Sequence, residues 1–74
     1  MNYRTCLIAL QSNRGISLRA TKITVENHDK ILCVYDNDDI MAIFQLSDIK
    51  AVLFADCGSA EMEQNMLDII TGKL

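Results

Sequence analysis

The sequence predicts a mainly β fold with a C-terminal α-helix, its strands forming a bent antiparallel meander or small barrel of about five. Two observations carry this. Between residues 3 and 55, short apolar runs alternate with clusters of Asn, Asp, Ser and Gly that suit tight turns. From Ser59 onward the apolar spacing changes to that of a helix. One domain spanning residues 1–74 is expected, with strands over 3–55 and the helix over 59–71.

The first element, "YRTCLIALQSNRGISLRA" (3–20), reads as a hairpin turning at "SNRG". The periodicity of residues 3–12 also admits an N-terminal helix, which would leave that helix, a four-stranded meander and the C-terminal helix. Beyond Ala20 the apolar phase shifts from even positions (Ile16, Leu18, Ala20) to odd ones (Ile23, Val25). Such a slip predicts a bulge or sharp bend near Thr21–Lys22.

Three turns then organise residues 22–55. "ENHDK" sets Val25 against Ile31 and Ile23 against Cys33. A two-residue turn at Asn37–Asp38 pairs Asp36 with Asp39, Tyr35 with Ile40 and Cys33 with Ala42, since Asn and Asp tolerate positive φ. "LSDI" pairs Leu46 with Ile49 and Phe44 with Ala51. The resulting meander is apolar on both faces, whereas a sheet with one wet face alternates apolar and polar residues.

Cover is expected from the N-terminal hairpin and from the helix. Ser59 is an N-cap candidate, Glu61 and Glu63 suit the first turn, and Gly72 suits the stop. Met62, Met66, Ile69 and Ile70, with Leu67, make an apolar stripe placed to hide Phe54, Met41, Ile43 and Leu32. Any uncovered remainder is a patch of the kind monomers avoid. A homo-oligomer or protein-partner interface is therefore expected at Met41, Ile43, Val52, Phe54, Met62, Met66 and Ile69.

Seventy-four residues is near the lower limit for an independent core. Cys6, Cys33 and Cys57 are odd in number and widely spaced, which points to reduced thiols and a cytoplasmic setting. Neither a signal-peptide core nor a membrane span is visible, so no membrane partner is expected. The net charge of −3 argues against a dedicated nucleic-acid binder. Its distribution is uneven: residues 1–25 carry Arg4, Arg14, Arg19 and Lys22 and no acid. Arg14, Arg19 and Lys22 are the candidate anion contacts, although no aromatic stands among them to stack a base.

Catalytic and metal chemistry find little support. An EF-hand loop begun at Asp36 puts Met41 where glycine belongs and Ser47 where the bidentate glutamate belongs. His28 is the only histidine, at a loop tip, while Cys33 lies within a predicted strand, so the two do not make a nucleophile pair. No phosphate-cradling glycine loop exists, and no cofactor, metal or catalytic residue is predicted. "FQLSDI" (44–49) is similar to the "I-R-G-x-x-I" stretch of the Sm-like RNA-binding proteins in spacing only. Glutamine stands for its arginine and leucine for its glycine, so that family's RNA contacts do not carry over. The expectation is a non-enzymatic, self-associating protein-interaction module. The alternatives are a nucleic-acid-binding barrel of Sm-like shape using the basic first third, or a minimal ligand or enzymatic site at a subunit interface around His28, Cys33 or the Asp36–Asp39 turn.

Overall fold

The computed structural model describes residues 3–73. The chain runs β1 (Tyr3–Leu10), β2 (Gly15–Arg19), β3 (Lys22–Glu26), β4 (Ile31–Asp36), β5 (Asp39–Gln45), a single 3₁₀ turn (Leu46–Asp48), β6 (Ile49–Cys57) and α1 (Ala60–Thr71). Among the described residues, six strands form two antiparallel three-stranded sheets, ordered β2-β1-β6 and β3-β4-β5, which do not close into a barrel. The sheets pack face to face, and α1 lies on the outer side of β2-β1-β6, touching β1, β6 and β2.

The mainly β class with a C-terminal helix holds, and so does the N-terminal hairpin: residues 3–10 form its first strand rather than the alternative helix. Their periodicity is ambiguous because Thr5 to Ala9 are buried without interruption, on one side by the second sheet and on the other by the helix. A strand covered on both faces has no reason to alternate. The "LSDI" segment is not a hairpin turn. Its 3₁₀ turn carries the chain from one sheet to the other, and β6 pairs with β1, with Leu7 opposite Leu53 and Ile8 opposite Val52. Finally, two registers slip by one. Glu26 rather than Val25 faces Ile31, and a bulge at Met41 moves the partner of Val34 to Ala42. A one-residue slip exchanges the two faces of a strand.

The core between the sheets is thereby set. Cys6, Ile8, Ala20, Leu32 and Val34 are buried at its centre, with Leu10, Ile16, Leu18, Ile23, Ala42, Phe44, Val52 and Phe54 packed around them. The predicted bend appears at Ala20–Thr21, where Ala20 N–H donates to Arg4 in the first sheet and Thr21 N–H to Tyr35 in the second. At the other corner Leu46 N–H donates to Lys30 and Gln11 N–H to Asp48.

The helix is bounded as expected. The Ser59 hydroxyl accepts from Met62 N–H, and Gly72 closes the end at φ 79° with bonds to Ile69 and Asp68. Its inward stripe is Glu63, Met66, Leu67, Ile70 and Thr71, an i, i+3, i+4, i+7, i+8 set that is half-buried or buried. Glu63 belongs there because its carboxylate accepts from Tyr3 Oη at 2.7 Å and from Ser17 Oγ. Met66 Sδ accepts from the Cys57 thiol at 3.9 Å.

Candidate functional site

With α1 committed to β2-β1-β6, the outer face of β3-β4-β5 has no element packed over it among the described residues. Alternation along β4 decides its make-up. Leu32 and Val34 enter the core, so Ile31, Cys33 and Tyr35 point outward. The ladder aligns three rows across this face: Lys22, Tyr35 and Ile40; Thr24, Cys33 and Ile43; Glu26, Ile31 and Gln45. The bulge adds Met41 beside Ile40. Ile40, Met41 and Ile43 are 57%, 46% and 60% exposed, while Ile31 and Tyr35 are half-buried.

The charged groups that the ladder places on this face, Lys22 and Glu26, sit at its ends. Lys22 Nζ sits 4.9 Å from the centre of the Tyr35 ring, a cation–π contact that lays its stem along the sheet. At the opposite end of the same strand, Glu26 accepts from the Cys33 thiol at 3.2 Å. That hydrogen bond, helped by burial, pushes the Cys33 thiol up from its ordinary range, so this cysteine is held protonated rather than activated. The Thr24 hydroxyl is buried beside it without a hydrogen-bond partner.

Of the residues expected at an interface, Met41 and Ile43 lie on this open face. Val52 and Phe54 do not: both are packed between the sheets, and Phe54 also carries the Arg4 guanidinium over its ring at 4.4 Å. The reassignment follows from β6 pairing with β1 rather than with β5. Met62 and Ile69 are exposed on α1, at the margins of its buried stripe, while Met66 is half-buried in that stripe against Cys57. The helix thus hides none of the strand residues assigned to it. Ile40, Tyr35 and Ile31 complete the patch; the Tyr35–Ile40 pair is the one the sequence predicts, and what the sequence does not show is that this side of the sheet is the open one.

The basic residues are dispersed. Arg14 immediately precedes β2 and Arg19 ends it, about 17 Å apart along the chain direction. Arg19 stacks on Tyr3 at 4.5 Å, Lys22 on Tyr35, and Arg4 pairs with Asp56 at 3.1 Å. The candidates for chemistry are equally scattered. His28 is exposed in the turn after β3, Cys33 is at mid-sheet, and the Asp36–Asp39 turn is at the far end. No group of three or more His, Cys, Asp or Glu side chains converges among the described residues. An open depression of about 540 Å³ is lined by Asn27, Asp29, Lys30, Ile31, Gln45, Leu46 and Ser47. No helix among the described residues is long and apolar enough to cross a membrane.

Compared with protein-family models, curated proteins and solved structures, the chain matches none.

Proposed function

We propose that this protein is a non-enzymatic interaction module that associates with itself, and through that assembly with a protein partner, using the outer face of β3-β4-β5. One observation carries the reading: Ile40, Met41 and Ile43 are exposed together on a sheet face continued by Ile31 and Tyr35. Scattered exposed apolar residues are ordinary, whereas a contiguous patch rimmed by polar groups marks an interaction site. Three unpaired, buried cysteines suit a reducing, cytoplasmic setting.

Sedimentation equilibrium from micromolar to millimolar concentration tests this. The expected result is a concentration-dependent rise in mass that Ile43→Asp abolishes while leaving the thermal melt cooperative. A wild-type chain that stays monomeric throughout would remove self-association from the reading.

A further inference from the structure

We infer that the second copy packs face to face on β3-β4-β5 about a two-fold axis running along the row Thr24–Cys33–Ile43. This rests on the reading above and adds the geometry of the dimer. Among the described residues, the full charges that the strand ladder places on the outer face are Lys22 and Glu26, at opposite ends of β3 and about 13 Å apart, with Asp29 and Lys30 in the turn beyond. A symmetric dimer uses the same patch on both copies, so the patch must complement itself. Two in-plane axes keep the strands of the two copies aligned. One parallel to the strands lays β3 over β5 of the other copy, facing Lys22 with Ile40 and Glu26 with Gln45, and leaves both charges unpaired. The axis across the strands lays β3 over β3 in opposite directions. It brings Lys22 of each copy to Glu26 of the other, Ile31 over Tyr35, and Ile43 against Ile43.

Three short strands give a footprint of roughly 17 Å by 14 Å, about 240 Å². Even doubled for side-chain relief, this falls short of the roughly 800 Å² per partner of a standard interface. The dimer is therefore weak, dissociating at micromolar concentration or above. Like the aligned sheets of a sandwich, the paired sheets would lie about 10 Å apart.

Charge exchange tests the arrangement. In a two-fold dimer each pair occurs twice, so Lys22→Glu or Glu26→Lys alone weakens association by about tenfold or more. Mixing the two variants restores it, because both pairs in the heterodimer are again opposite in sign. Single variants that dimerise like wild type, or a mixture that does not recover, would overturn the arrangement while leaving self-association intact; a monomeric wild type would overturn both. A measurement free of substitutions is a filtered nuclear Overhauser experiment on half-labelled wild-type protein. Cross-peaks between the Tyr35 ring of one copy and the Ile31 methyls of the other are expected. Intermolecular cross-peaks from Lys22 to Ile40 instead would contradict the axis.

Discussion

Gly15 lies directly beneath Leu67: a β-carbon built on Gly15 would stand 2.8 Å from Leu67 Cγ. The helix packs on the sheet so tightly here that only a residue without a side chain fits beneath Leu67. Gly15→Ala forces Leu67 out of its rotamer or lifts the helix, at an expected cost of about 1–3 kcal/mol in urea unfolding. An unchanged midpoint would mean that α1 is not seated on that edge.

Two isoleucines separate the covered core from the open face. Ile8 is fully buried between the sheets, and Ile43 is 60% exposed. Ile8→Ala should cost about 2–5 kcal/mol. Ile43→Ala should change the stability of the dilute monomer by about 0.5 kcal/mol or less, as surface substitutions do. Equal losses at the two sites would mean that something within the chain covers Ile43.

The turn after β3 holds Asn27, His28 and Asp29 in the left-handed region, at φ 56°, 56° and 64°. Asn and Asp accept this conformation more readily than most residues, and His28 is the least suited of the three. His28→Gly is expected to stabilise the fold by about 0.5–1 kcal/mol, since relief of the positive φ outweighs the added freedom of the unfolded chain. Destabilisation measured by thermal melting would show that the imidazole is held by contacts of its own.

Tyr3 supplies a pH signature. Its hydroxyl donates to the Glu63 carboxylate, which raises its pKa above 10.0, with burial adding to the effect. The folded chain therefore holds this proton more tightly than the unfolded one. The contribution is fully present below pH 10 and is lost as pH climbs through the folded pKa. The gap in melting temperature between wild type and Tyr3→Phe should be constant from pH 7 to the Tyr range and shrink above it. A gap that widens with alkalinity would reverse the sign and remove the Tyr3–Glu63 bond from the account.

What was legible in the sequence was local. Ser59 and Gly72 bound the helix, "SNRG" and Asn37–Asp38 turn their hairpins, and the phase slip after Ala20 marks the corner. What was hidden was the pairing of the first strand with the last, because "LSDI" looks like a hairpin turn and β6 carries no mark of its distant partner. That error sent Val52 and Phe54 to the surface when they belong to the core. The bulge at Met41 was hidden for a related reason: one extra residue between Tyr35–Ile40 and Val34–Ala42 leaves no compositional trace but changes which side chains face out. Glu63 is legible as a first-turn acid, but not its inward position, because a carboxylate with two hydroxyl donors occupies a helix position that a hydropathy pattern gives to solvent.

The most direct test of the open face is a dilution series followed by amide chemical shifts. Moving from millimolar to low micromolar protein, the resonances of Ile31, Cys33, Tyr35 and Ile43 should shift together along one binding curve, while those of Met62, Met66 and Ile69 on the helix stay fixed. Shifts that cluster on the helix, or that appear nowhere, would contradict the claim that β3-β4-β5 is the surface this protein uses.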